Sequence, residues 1–463
     1  MRPFDLGGQE KDKRFVCFSG TGDGMKWIKG FLLLLAAVLF LAACGGGEEA
    51  PPPIVEQAAP TPTTAVPAAA PTLPPPVVNV EGGDAGADTA AAPEQAPSEE
   101  TNSAIIRPWP ADKFGYGIQV HGNATVGDPA LVMDTTRNQL GMNWVKMQMQ
   151  WWLIHPSPDA GQWFFYDAVV DEANKNGLNL MISVVGAPEW TRAAGNREGP
   201  PDDYNEYAKF LTELINRYPG QIGAIEVWNE QNLDREWKTA NGVSPEDYVT
   251  FLQTAYDAIK AADPDIMVIS GALAPTGGGD WIAWADDFEW LDRALAAGML
   301  NYSDCTGVHH NGYNIGPDVT FEAAPNDPEA ATAVFRGPFD NPHHSWSFKT
   351  TLDTYAQKIQ ALDPNAKLCV TEFGWASSEG YDAAPVGFEF ANDNTLEEQA
   401  QYITQAFQLM HDSGDVWLAF LFNFDFGNKG SGPTDDPVPY SIVDTNGAPR
   451  PAFGAVAGMA KSD

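Results

Sequence analysis

From about residue 105 to the C-terminus, short apolar runs alternate eight times with stretches whose apolar residues fall at helical spacing. Parallel strands need a long crossover between them, so this alternation predicts an α/β chain of parallel strands joined by helices. The strand candidates end near His121, Gln150, Gly186, Glu230, Leu273, Asn311, Glu372 and Asn423. Helices are expected over 203–218, 286–297, 350–362 and 395–411, and after Ser244, where an N-cap serine is followed by Pro245, Glu246 and Asp247. That last helix would bury Tyr248, Phe251, Leu252, Ala255 and Ile259 on one side. Eight such units closing on themselves make a (β/α)8 TIM barrel. An open doubly wound sheet competes with it, but polar and aromatic groups recur after nearly every strand rather than at one switch point, which favours the barrel.

Two of the strand ends carry a carboxylate. The segment from Ala224 climbs through Ile225 and Val227 and stops at Trp228, Asn229, Glu230, while a second runs from Lys367 to Thr371, Glu372, Phe373, Gly374, Trp375. Either glutamate alone reads equally well as a buried ion pair or a helix cap. Two carboxylates at strand ends in one barrel mouth form the pair that glycosidic cleavage requires, one as acid/base and one as nucleophile.

With these two motifs the chain resembles the clan A glycoside hydrolases, leaning towards family 39 with family 5 next. Residues 114–121 as opening strand, Ala187-Pro188-Glu189-Trp190 after the third strand and residues 441–451 before a final helix fit the same pattern, so the resemblance covers about 110–460. It implies a retaining enzyme in which Glu230 protonates the leaving oxygen and later activates water, Glu372 attacks the anomeric carbon, and Asn229 binds the sugar 2-hydroxyl. Direct attack calls for carboxyl groups about 5 to 5.5 Å apart. The two roles need opposite protonation, so Glu230 is expected to have the higher pKa, through burial or nearby negative charge.

Two positions depart from the clan pattern. Where a tyrosine is usual two residues after the sixth-strand histidine, this chain has His309-His310-Asn311-Gly312-Tyr313, so the orienting phenol is either Tyr313 or missing. An arginine often found on the second strand is replaced by Lys146, a point charge without the guanidinium fork. Lys146 lines the barrel or snorkels at the strand end; the sequence leaves both open. His121 and His309 are further candidates for the sugar site. Adjacent strand residues face opposite ways, so only one of His309 and His310 can line it, and no catalytic metal or other cofactor is expected.

Aromatic residues crowd the strand-end loops, and sugars stack their C–H faces on such rings. Many of these rings must be core; Trp151, Trp375, Phe422 and Phe424 are the candidate site walls, each immediately beyond a strand. The connection from Asn311 to about Thr350 is long for a barrel and rich in proline and aromatics, as a substrate-lining loop would be.

The residues before 105 are expected to stay outside the barrel. Lys26 and Lys29 precede an apolar run over 31–43, short of the roughly 20 residues that span a bilayer and followed by small residues, which is a secretory signal pattern. Its end, Leu41-Ala42-Ala43-Cys44-Gly45, resembles a bacterial lipobox, implying Cys44 as the lipidated first residue of the mature chain; an ordinary signal peptide is the plainer alternative. Met25 would begin a conventional signal, making 1–24 an over-extended start. The division expected is therefore a signal region over 1–44, a Pro/Ala-rich tether over 45–104 too poor in apolar surface to fold, and a catalytic domain over 105–463.

The formal net charge of −36 argues against nucleic acid as partner and for solubility outside the cell. The partners expected are a carbohydrate and, through the lipid anchor alone, the bacterial membrane, with the catalytic domain extracellular or periplasmic and monomeric. Of four cysteines, only Cys305 and Cys369 fall in the barrel region. Counting by twos from His309 and Glu372 turns them to opposite faces, so buried thiols are expected rather than a disulfide. A carbohydrate-binding lipoprotein, either a solute receptor or an inactive barrel, is the alternative to an enzyme. Two-lobed receptors have no need of paired strand-end glutamates, and an inactive barrel commonly lacks one of them.

Overall fold

The computed structural model describes residues 105–461; the signal region, Cys44 and the expected tether lie outside the described residues. Eight parallel strands run in the order of the chain: β1 (Gly115–Gln119), β2 (Trp144–Gln150), β3 (Asn179–Val185), β4 (Ala224–Val227), β5 (Met267–Ser270), β6 (Thr306–Gly312), β7 (Leu368–Trp375) and β8 (Val416–Leu421). β1 pairs with both β2 and β8, as closure requires. The seam between β5 and β6 is made by single bridges, Ile269 to Cys305 and Leu273 to Val308, with Ser270 N donating to Cys305 O at 3.1 Å. A Cβ on Gly307 would collide with the Ser270 carbonyl, so the missing side chain allows the two strands to approach there. The sheet is thus a barrel and not an open doubly wound layer.

Helices follow the strands in turn: α1 (Pro129–Asp134), α2 (Asp167–Lys175), α3 (Tyr204–Arg217), α4 (Pro245–Ala262), α5 (Asp287–Ala296), α6 (Phe348–Gln360), α7 (Leu396–Ser413) and α8 (Pro451–Gly458). Their starts follow from local chemistry. Ser244 accepts from Asp247 N at 3.2 Å with Pro245 in the first turn, and Thr395 forms a reciprocal capping box with Glu398 before α7. The apolar stripe of α4 is buried over Tyr248, Phe251, Leu252, Ala255 and Ile259. Such stripes press on the outer face of the barrel, where most of the core lies.

Inside, the barrel is filled in layers. Its floor is apolar: Trp109, Trp144, Met181, Met267, Ile269, Leu418 and Phe420. Cys305 and Cys369 belong to this floor and form a disulfide, with Cα atoms 5.8 Å apart, which corrects the expectation of separate thiols. The reason is a bulge in β7. Val308 pairs with Val370, but the next residue, His309, pairs with Glu372, so Thr371 is an extra residue. Counting inward positions by twos fails across it: Thr371 and Glu372 both reach polar partners inside, and Cys369 shares the inward face with Thr371.

Candidate active site

Above the floor the barrel turns polar. Lys146 of β2, Ser183 of β3, Glu226 of β4 and Thr371 of β7 form a buried layer. Glu226, fully buried, accepts from Thr371 Oγ1 at 2.6 Å and from the Ser183 hydroxyl, and lies 3.5 Å from Lys146 Nζ. A lone carboxylate there would be costly, and these partners keep it ionised. Burial alone would raise its pKa, but Lys146, His309 and the two hydroxyls together hold it below the ordinary value.

The next layer carries the two sequence-nominated glutamates. Beyond β4 the backbone leaves the strand conformation, with φ of 80° at Trp228 and 42° at Glu230. Positive φ on residues with side chains costs about 1–3 kcal/mol each and persists only where the surroundings impose it. Here it breaks the alternation of the strand. The Trp228 indole turns outward against Tyr207, Trp237 and Phe251, while Asn229 and Glu230 face the barrel mouth. Across from them, Glu372 Oε1 accepts from Lys146 Nζ at 2.9 Å, and the same ammonium donates to the Thr371 carbonyl at 3.0 Å.

His309 joins the carboxylates. Its Nδ1 lies 3.3 Å from Glu230 Oε1 and 3.9 Å from Glu372 Oε2, and its Nε2 is 3.9 Å from Glu226 Oε1. Burial and Lys146 would lower the imidazole pKa, but Glu372, Glu230 and Glu226 raise it on balance. His310 faces the other way, packed edge-on to Phe348, and burial pushes it down to about 3.

Glu230 is held by a residue that motif reading passed over. Arg235, on the loop after β4, donates to Glu230 Oε2 at 2.5 Å. Burial would raise the Glu230 carboxyl, but Arg235 and His309 outweigh it and hold it at about 2, against an ordinary 4.5. The expectation of a raised Glu230 pKa is therefore corrected: in this arrangement it is an anion paired to a guanidinium. The carboxyl that is raised, to about 8, is the neighbouring Glu236, through burial first and then the charges of Glu230 and Glu372, with Arg235 opposing.

The remaining nominated residues divide. Asn229 Oδ1 accepts from Gln148 Nε2 of β2 at 3.2 Å, which orients its amide in the mouth. His121, at the end of β1, donates its backbone N–H to Asp425 and packs edge-on to Phe426. Phe422 is partly buried beside Phe426 and Tyr440. Tyr313 lies against Trp346 and Phe390, and burial together with the Glu230 and Asp287 charges pushes its phenol up to about 12. Among the described residues the side-chain hydrogen bond to Glu372 comes from Lys146, so lysine, not a phenol, fixes this carboxylate.

Trp151, Trp375 and Phe424 are corrections. Trp151 is stacked on Phe210 and edge-on to Tyr207, inside the helix layer. Trp375 is covered by Phe348 and Tyr402, its indole donating to the Ile315 carbonyl. Phe424 packs on Phe453 of α8. None of the three keeps a face for a sugar, because strand-end residues that point outward meet the next helix. Glu226 was also absent from the sequence reading, although a carboxylate in the middle of an apolar strand, spaced by four from Glu230, was a usable signal.

A barrel that brings carboxylates from the ends of β4 and β7 to one imidazole has the architecture of the clan A glycoside hydrolases. The chain belongs to glycosyl hydrolase family 5: it matches the family's cellulase model over residues 111–425. Family 5 was the second of the two families towards which the sequence motifs leaned. A beta-xylosidase from Geobacillus stearothermophilus is 32% identical over 96 residues, which cover 19% of this chain and 18% of that protein. A family 39 glycoside hydrolase from Bacteroides cellulosilyticus WH2 is similar in fold, with a TM-score of 0.50 and 19% identity over 76% of this chain and 64% of that one. A monomeric beta-xylosidase from Caulobacter crescentus CB15 follows at 0.49, with 16% identity over 76% of this chain and 69% of that one. The chain thus spans about a fifth of the curated relative it matches and just under two thirds of the family 39 enzyme.

Proposed function

We propose that the chain is a retaining β-glycosidase that cleaves O-glycosidic bonds of a β-linked polysaccharide, or of its oligomers, by double displacement. The observation that carries this reading is the convergence of Glu230 and Glu372 on one imidazole nitrogen of His309, at 3.3 and 3.9 Å. Glu372, anionic and steadied by Lys146, attacks the anomeric carbon as the bond to the leaving oxygen breaks; Glu230 gives that oxygen its proton, then takes one from the water that releases the sugar. Asn229, oriented by Gln148, meets the 2-hydroxyl.

For the first step Glu230 must be protonated, and its bond to Arg235 opposes this. Arg235 has 48% of its side chain exposed and is free to swing out. Occupation of the leaving-group side displaces the guanidinium and lets the carboxyl take up its proton. The names of the cellulase family and of the beta-xylosidase relative support β-glucans, xylans and their oligomers as the substrates to try first.

The chain is also proposed to be exported and lipid-anchored through Cys44, acting as a monomer on the outer side of the membrane. The Cys305–Cys369 disulfide supports an oxidising compartment. The test is turnover of nitrophenyl β-glycosides and β-linked polysaccharides by the wild-type chain, Glu230→Ala and Glu372→Ala. Loss of activity in both, with azide restoring turnover of activated glycosides and giving glycosyl azides of opposite anomeric configuration in the two variants, is the outcome expected. Saturable sugar binding that survives both substitutions, with no turnover of any substrate, would leave a binding protein instead.

A further inference from the structure

The connections after β5 and β6 meet at a second cluster of polar side chains. Asp286, His343 and His344 each bring one possible ligand atom to within 4.8 Å of the others. Asp286 is the N-cap of α5: its Oδ1 accepts from Glu289 N at 3.1 Å. Its Oδ2 is 3.8 Å from His344 Nε2 and has only a long contact, 3.4 Å, to Gly278 N. The cap therefore occupies one oxygen and leaves the other for an external partner.

Both imidazoles are held by packing and by hydrogen bonds, and for His344 the bonded nitrogen, Nε2, is also the one that faces Asp286. His344 stacks on Phe288 with ring centres 3.6 Å apart and planes 12° from parallel. Its Nε2 lies 2.9 Å from Asp287 Oδ1, a buried carboxylate also bound by Tyr355 Oη at 2.9 Å and Thr276 N at 3.1 Å. His343 Nδ1 caps the 3-10 turn that follows, accepting from Ser345 N at 3.3 Å, and lies 3.0 Å from Ser345 Oγ; an ion on Nε2 would displace the ring proton to Nδ1, where Ser345 Oγ can accept it. A Cβ on Gly277 would come within 2.6 Å of the His343 ring, so a glycine there gives the imidazole its seat. The two rings are 4.1 Å apart, although adjacent residues in an extended chain would diverge; the 3-10 turn His344–Trp346 folds them together.

We propose that Asp286, His343 and His344 bind a divalent first-row transition metal, zinc in the first instance, which ties the β6–α6 connection to the start of α5. Two imidazoles and a carboxylate form a mixed nitrogen and oxygen set suited to zinc, cobalt or nickel, whereas calcium and magnesium take oxygen ligands alone. Ligand atoms 2.0–2.1 Å from a tetrahedral zinc are about 3.3 Å apart, so the side chains close in by roughly an ångström. An ion on His344 Nε2 replaces the proton that this nitrogen shares with Asp287 Oδ1, and the fourth position then goes to Asp287 or to water. The connection so pinned carries Tyr313 and Trp346, which pack edge to face at 4.6 Å. The ion would thus stiffen the wall beside Glu230 without taking part in chemistry.

The test is titration of the chelator-treated protein with zinc chloride by calorimetry and with cobalt chloride by visible absorption, for wild type, His343→Ala, Asp286→Asn and Glu372→Ala. One equivalent bound at micromolar concentration, an intense four-coordinate cobalt band and a raised unfolding temperature are expected for wild type. Glu372→Ala should behave the same, whatever becomes of the glycosidase reading, whereas His343→Ala and Asp286→Asn should bind at least tenfold more weakly. Asp286→Asn retains the capping oxygen, so its circular dichroism should match wild type. No stoichiometric binding below millimolar metal, or binding untouched by His343→Ala, overturns the proposal.

Discussion

Lys146 Nζ lies 2.9 Å from Glu372 Oε1 and 3.5 Å from Glu226 Oε2, so one buried ammonium from β2 serves carboxylates on β7 and β4. Removing it leaves two buried anions without their shared counter-ion. Lys146→Met should lower kcat by about 100-fold or more, the size seen when one preorganised donor is lost from an active site. It should also destabilise the fold by about 3–5 kcal/mol, as breaking a buried ion pair does. Steady-state kinetics and urea unfolding read the two effects separately.

Arg235→Ala addresses the protonation of Glu230. The guanidinium holds this carboxyl at about 2; without it the pKa rises, since burial then meets only His309 in opposition. The alkaline limb of kcat/KM reports proton loss from the acid in the free enzyme, so a higher pKa moves that limb to higher pH. A shift of one unit or more is expected for glycosides with poor leaving groups, and little effect on the turnover of activated aryl glycosides, whose departure needs no acid. A pH–rate profile on both substrate types checks it, and an unmoved limb contradicts the assignment.

Glu236 carries the opposite sign. Its folded pKa is raised to about 8 from 4.5, so between these values the folded state holds a proton that the unfolded chain has lost. Stability then falls as pH rises through that window. Glu236→Gln imitates the protonated form at every pH. It should unfold like wild type at pH 4 and be more stable by on the order of 1–3 kcal/mol at pH 8, a range discounted for the partial exposure of the side chain. Urea titrations at the two pH values are sufficient.

The disulfide between Cys305 and Cys369 closes a loop of 64 residues across the β6–β7 pair. Loop-closure entropy puts its contribution at about 4 kcal/mol. The Cys305→Ala, Cys369→Ala double variant should lose about 2–4 kcal/mol in guanidinium unfolding, and wild type under reductant should lose a similar amount. Thiol titration of the unfolded wild-type chain should find neither sulfur free until reductant is added.

Alternating apolar runs and helical stretches were enough to determine eight βα units and the strand ends that carry Glu230 and Glu372. Strand and helix periodicity, caps such as Ser244 and the interruption of a strand by a polar triplet are local properties, visible in a few neighbouring residues. Which side chains meet was decided by the tertiary structure. The bulge at Thr371 reversed the facing of Cys369 and made a disulfide of two expected thiols. Positive φ at Trp228 and Glu230 turned the tryptophan out and the glutamate in. Trp151 and Trp375, at strand ends as a wall would require, were taken by helix packing. Arg235 could not be assigned to Glu230 from its position five residues on, because a charge pair depends on how the loop after β4 folds back. Periodicity reports the face a residue takes in regular structure; bulges, left-handed turns and loop closure set the rest, and their energies come from contacts between residues far apart in the chain.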